Sequence, residues 1–255
     1  MKTSTITNSK EKRKFIAAFF WLFLWAILAG IVQKEIYLPG PLTTLKHLIA
    51  ILTDPNAWLI LGISWLRVWT GFLLSFILGI ALGFPSGLFP TLQEGLEPMM
   101  QTVKSTPIMS LILLILIWFP SNLVPVVVGF LIGFPILWAQ TNEGVKRTDP
   151  KLLEMARVFQ LSPWQRMRKI ILPSAWPSIR NASQTAIGLC WKASIAAEVL
   201  SHPRYGIGSK LYDAKVYLET PDLFAWTLAL IVASGITERI FLSIFPQRRD
   251  LHADA

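Results

Sequence analysis

Apolar positions in this chain fall into six long runs, separated by polar stretches of unequal length. The runs cover Phe15 to Val32 and roughly Trp58 to Gly83, Met99 to Phe119, Leu123 to Ala139, Ile179 to Leu200 and Leu223 to Phe245. Several approach the ~20 residues that a helix needs to cross a bilayer. The pattern predicts an all-α membrane protein with six transmembrane helices. Between the first two runs, Leu45, Leu48, Ile49 and Leu52 recur at helical spacing, so this segment is expected to lie along the outer membrane surface. The third run is broken early by Lys104-Ser-Thr-Pro107, and Phe84 to Pro98, with three prolines, reads as a short turning loop. Gly71, Ser75, Gly79, Gly83 and Gly87 stand four residues apart and mark a face for close helix packing. Gly129 and Gly133 repeat that spacing, and Ala182, Ala186 and Cys190 form another small-residue face.

One stretch departs from this pattern. Residues 149–173 are polar and basic and read as two short helices with a turn between them. Asp149 is placed to cap the first helix, with Pro150 at its first position. Leu152, Met155, Ala156 and Phe159 then fall on one face. Ser162-Pro-Trp-Gln165 restarts the helix as a capping box, and Pro173 is expected to stop it. Seven Lys and Arg residues lie between Lys146 and Lys169. A hairpin with an apolar knob in a basic setting is suited to pressing into another protein at a membrane surface.

Composition supports the membrane reading. Apolar residues make up 53% of the chain, eleven of them Trp, too apolar for an ordinary soluble domain. The net charge of +9 does not indicate nucleic acid, because the basic residues cluster between spanning runs. Lys10, Lys12, Arg13 and Lys14 precede the first run, which is read as a retained span and not a cleaved signal, and Arg248 and Arg249 follow the last. With the basic 142–173 loop, they place both termini in the cytoplasm of a multi-pass membrane protein. The expected organisation is a cytoplasmic tail (1–14), a first transmembrane helix (15–33), an extracytoplasmic amphipathic segment (34–56), a membrane core (57–245) holding the 142–173 loop, and a cytoplasmic tail (246–255). The lone cysteine, Cys190, excludes an intrachain disulfide.

The order Glu154-Met-Ala156, Gln160, Ile170-Ile-Leu172-Pro173 resembles the EAA loop of bacterial ABC importer permeases, Glu-Ala-Ala, three residues, Gly, nine residues, Ile-x-Leu-Pro. Met155 replaces an Ala and Gln160 replaces the Gly. A non-Gly residue in a left-handed turn costs ~1 kcal/mol, so Gln160 is expected to stay helical and alter the turn. Leu38-Pro39-Gly-Pro41, Ser105-Thr-Pro107, Glu143-Gly144, Asp149-Pro150 and Thr220-Pro-Asp-Leu-Phe224 extend the resemblance over roughly residues 40–245. It is closest to permeases for nitrate, sulfonate, taurine and thiamine precursors. The resemblance implies a type I ABC transmembrane domain whose pathway forms between two permease copies, a homodimer being the simplest arrangement. It also implies two cytoplasmic ATP-binding-cassette subunits, an extracytoplasmic solute-binding protein and the surrounding lipid of a bacterial plasma membrane. Glu154, Met155, Ala156, Phe159, Gln160, Leu161, Ser162, Leu172 and Pro173 would then form the coupling hairpin that docks on the ATPase.

No phosphate loop occurs, since Gly206-Ile-Gly208-Ser-Lys210 has the wrong spacing, so ATP hydrolysis is expected on a separate subunit. His47, His202 and His252 are scattered, and no metal motif or cofactor is expected. Charges inside apolar runs mark pathways, partners or interface-seeking side chains. Among them Lys192 lies deepest, with Glu198 six residues on. Lys192 either lines the pathway and attracts an anion or pairs with an acid on a neighbouring helix. Arg67 and Lys104 are near enough to span ends to reach the interface, and Glu238-Arg239 is placed to pair locally. An ATP-independent channel or assembly scaffold is the alternative, its basic loop setting topology or binding anionic lipid.

Overall fold

The computed structural model describes residues 4–244. The tail 246–255 lies outside them. The described chain is built from helices: α1 (Ser4–Val32), α2 (Pro41–Thr53), α3 (Pro55–Leu88), α4 (Pro90–Ser105), α5 (Ile108–Trp118), α6 (Val124–Lys146), α7 (Pro150–Val158), α8 (Pro163–Arg166), a π-turn (Met167–Ile171), α9 (Leu172–Ser201), α10 (Ile207–Val216) and α11 (Thr220–Ile244). Among the described residues, α3, α6 and α11 are long and apolar enough to cross a membrane, and α4 with α5 forms a bent pair that makes a fourth candidate.

Several expectations from the sequence are corrected. Residues 84–98 do not form a loop. The helix α3 continues through Pro85 to Leu88, and only Phe89 separates it from α4. Proline fixes φ near the helical value, and at the first position of α4 Pro90 has no N–H to leave unpaired. The third run is not one straight helix, because α4 and α5 meet at 104°. Thr106 precedes Pro107 and takes an extended conformation (φ −74°, ψ 127°), the backbone that a following proline ring enforces. The polar stretch after α9 contains the helix α10.

Pro173 does not stop its helix. The chain passes from α8 through the π-turn into α9, where the Leu172 N–H bonds the carbonyl of Met167, five residues back. A proline cannot donate to the carbonyl four residues before it, and its ring collides with that carbonyl in a regular α-helix. Widening the preceding turn relieves both problems.

The described chain divides into two compact units, one of residues 4–59 and 210–231, the other of residues 60–209 and 232–244. In the first, α2 is held to the start of α11 by His47 Nδ1 against Asp222 Oδ1 at 2.5 Å. The Trp25 ring stacks on Phe224, and its Nε1 donates to the Pro39 carbonyl at 3.0 Å. In the second, α6 and α9 pack along their length, and α5 joins them through Ile112 and Ile115 beside Val124, Val128, Ala193 and Ala197.

The glycine face of α3 is a packing face. A Cβ on Gly71 would lie 2.7 Å from the Val126 carbonyl oxygen, and one on Gly83 would lie 2.7 Å from that of Trp138. Hydroxyl and thiol groups on α3 and α9 donate to backbone carbonyls of α6. Ser75 donates to the Phe130 carbonyl at 2.9 Å, Ser194 to Pro125 at 2.8 Å and the Cys190 thiol to Gly129 at 3.2 Å.

Candidate functional site: an exposed helical hairpin and a buried ion pair

The hairpin begins as its sequence requires. Asp149 Oδ1 accepts the Lys151 N–H at 2.9 Å, and Pro150 occupies the first helical position of α7. Its far end differs from expectation. Gln160 takes the left-handed conformation at φ 52° instead of staying helical. The Gln160 N–H bonds Arg157 O at 3.0 Å, and the Leu161 N–H bonds Ala156 O at 2.9 Å. This is the hydrogen-bond pair of a Schellman motif, in which a glycine usually holds the place of Gln160. Two satisfied carbonyls and a fixed turn offset the steric cost of the side chain.

The second helix opens with the predicted capping box. Ser162 Oγ accepts the Gln165 N–H at 3.3 Å, and Gln165 Oε1 accepts the Ser162 N–H at 3.0 Å. Both helix starts are therefore closed by their own side chains, and α8 runs without a break into α9.

The predicted apolar face of α7 is divided. Ala156 is fully buried, at 0% exposure, while Leu152, Met155 and Phe159 are exposed. Val158 (79%) and Trp164 (63%) join Phe159 (71%) as exposed groups that the sequence reading did not single out. Their signal was present: large apolar side chains within a charged segment are costly to expose without a partner. Glu154 and Ser162 are exposed beside them, Leu161 is half-buried, and Leu172 and Pro173 lie on the exposed side of the junction with α9. Lys151, Arg157, Arg168 and Lys169 are exposed, so the exposed apolar side chains of the hairpin stand among positive charges.

The second candidate region is polar and buried, and the sequence reading found only half of it. Glu198 is 1% exposed. It pairs with Arg67, whose Nη1 donates to Oε1 at 2.8 Å, and accepts the Ser64 hydroxyl at 2.8 Å and the Gly208 N–H at 3.0 Å. Arg67 does not reach for an interface. Nη1 also donates to the Tyr205 carbonyl, and Nη2 donates to Asn122 Oδ1. The structure does not bring Lys192 and Glu198 together. Lys192 stands on the exposed side of α9 and forms no ion pair among the described residues. Glu238 likewise accepts from Gln184 Nε2 at 2.7 Å instead of pairing with Arg239.

Comparison with known proteins follows the same outline. The family model described as binding-protein-dependent transport system inner membrane component matches residues 71–245. A permease protein of Bacillus subtilis (strain 168), SsuC, assigned to aliphatic sulfonates transport, is 28% identical over 84% of this chain and 78% of its own length. The bicarbonate transport system permease protein CmpB of Synechocystis sp. is 30% identical over 76% of this chain and 73% of its own. The taurine transport system permease protein TauC of Escherichia coli (strain K12) is 24% identical over 84% and 80%. A chain of the MetNI methionine ABC transporter, solved in inward-facing conformations, shares the fold at TM-score 0.52 and 17% identity, covering 75% of this chain and 94% of that one.

Proposed function

The chain belongs to the binding-protein-dependent transport system inner membrane component family, and from that premise we propose that it is the pathway-forming subunit of an ATP-driven importer for a small anionic solute. The relatives carry sulfonates, taurine and bicarbonate in their names, and these solutes share a compact oxyanion head. Two copies of the chain form the pathway between them. Two ATP-binding-cassette subunits dock from the cytoplasm, and a solute-binding protein delivers from the other side. Six membrane crossings, with both termini inside, agree with the clustering of Lys and Arg.

The observation that carries this reading is the exposure of Met155, Val158, Phe159 and Trp164 on a doubly capped hairpin. Apolar anchors in a charged rim are the usual centre of a protein interface. The hairpin is the coupling element: ATPase closure presses on it, and α9, continuous with α8, carries the movement into the membrane. Lys192, charged, exposed and unpaired on α9, lines the pathway and draws the anion.

The test is reconstitution of the full-length chain with its cognate ATPase and binding protein, comparing wild type with Phe159→Asp and Glu154→Lys. Both side chains are exposed, so the substitutions leave the fold alone. Loss of ATPase co-purification and of solute-stimulated ATP hydrolysis is expected. If both persist in both variants, the hairpin is not the coupling surface.

A further inference from the structure

We propose that Arg67 and Glu198 are positioning residues for transport, fastening the far end of α9 to the turn and helix that follow it. This rests on the permease reading above and identifies where hairpin movement is delivered.

The observation concerns the start of α10. Its first residue, Ile207, follows Gly206, which has no side-chain oxygen and cannot cap the helix itself. The missing acceptors come from two other helices. Ser64 Oγ on α3 accepts the Ile207 N–H at 2.9 Å, and Glu198 Oε2 on α9 accepts the Gly208 N–H at 3.0 Å. A carboxylate is the favoured partner here, because a helix N-terminus carries partial positive charge. Ser64 also donates its hydroxyl to Glu198, so the two caps hold each other.

The turn has no spare room. A Cβ on Gly208 would lie 2.5 Å from Glu198 Cβ and 2.6 Å from the Ile195 carbonyl oxygen, and one on Gly206 would lie 3.0 Å from the Glu198 carboxyl. Neither glycine has a positive φ, so closeness and not backbone conformation requires them. The α9 helix ends at His202, in the left-handed conformation at φ 46°, and the chain then folds back onto Glu198. Arg67 neutralises that carboxylate and holds both the Tyr205 carbonyl within the turn and Asn122 in the α5–α6 connection.

A buried charge left without its partner is strongly destabilising, so this cluster does not open and close with each cycle. It travels as one piece with α9, which runs from the π-turn to Ser201. The hairpin is at one end of that helix and the fastened turn is at the other.

Three variants test this in the full chain. Hydrogen exchange in lipid nanodiscs should show faster exchange of the 206–209 amides in Glu198→Gln, with the hairpin at 150–166 unaffected. In the reconstituted transporter, uptake of the probe taurine per ATP hydrolysed should fall in Glu198→Gln, because an unpaired Arg67 loosens the turn at the end of α9. The reversed pair Arg67→Glu with Glu198→Arg restores opposite charges but offers Gly208 no acceptor, so it should not recover uptake. Ser64→Ala, a smaller change, should lower uptake part-way if Glu198→Gln does not fold. Recovery by the reversed pair, unchanged 206–209 exchange, or wild-type uptake in both Glu198→Gln and Ser64→Ala overturns the proposal. Absence of ATP-dependent uptake by the wild-type assembly would instead overturn the permease reading, and this inference with it.

Discussion

The amide of Leu161 bonds the carbonyl of Ala156 at 2.9 Å, closing a loop around Gln160 at φ 52°. A residue with a Cβ pays ~1 kcal/mol for that backbone conformation. Gln160→Gly should therefore stabilise the hairpin by about 1 kcal/mol, while Gln160→Val should destabilise it by a similar amount or more. Slower exchange of the 150–161 amides in the glycine variant, and faster exchange in the valine variant, is the check.

Gly71 and Gly95 should respond in opposite ways to the same substitution. At Gly71 the added methyl meets backbone, Val126 O at 2.7 Å and Phe130 N at 3.2 Å, and neither can turn aside. Gly71→Ala should force α3 from α6 and cost about 1–3 kcal/mol. At Gly95, inside α4, a Cβ meets nothing within 4 Å. Gly95→Ala should be neutral or stabilising by up to about 1 kcal/mol, because alanine is the better helix former. Thermal unfolding of the two variants in the same detergent separates them.

Ala156 and Phe159 lie on the same face of α7 by spacing, yet carboxylates there should act differently. Ala156 is fully buried, so Ala156→Asp places an unpaired charge inside and should cost at least about 3 kcal/mol. Phe159 is 71% exposed, so Phe159→Asp should change stability by no more than about 0.5 kcal/mol. Unfolding curves measured beside ATPase binding should show Ala156→Asp losing both properties and Phe159→Asp losing only binding.

Lys192 should matter through its charge. Lys192→Gln should slow uptake of an anionic solute up to about tenfold, the effect of one charge at close range in a hydrated site. Lys192→Arg, which keeps the charge, should retain most of it. Equal uptake by all three proteins would remove Lys192 from the pathway.

Local features were legible in the sequence. Asp149, Pro150, Ser162 and Gln165 act within a few residues of themselves, and each does in the structure what its chemistry dictates. The glycine face of α3 was equally plain, because its spacing is the helix repeat itself. What was misread depended on partners or on compensation. Arg67 and Glu198 are 131 residues apart, and nothing near either one indicates the other. Gln160 accepts an unfavourable conformation because Leu161 and Ala156 bond across it. The stop expected at Pro173 presumed a regular α-helix, and the preceding turn is not one. The exposed Val158 lies off the face that the apolar spacing of α7 marks, and Trp164 stands in α8, beyond that spacing altogether.

The π-turn between α8 and α9 also fixes a phase. Its Leu172-to-Met167 bond spans five residues where an α-helix spans four, so the turn holds one residue more than regular winding needs. Each residue of an α-helix is worth about 100° of rotation. Trp164 is therefore displaced by about that angle around the α9 axis from where unbroken winding would put it. Removing a buried residue of the turn, Ile170 or Ile171, would swing the hairpin by the same amount while sparing every cap and every exposed side chain on it. The direction in which this protein presents its exposed apolar side chains thus depends on one extra residue, which Pro173 keeps in the turn by excluding regular winding before it.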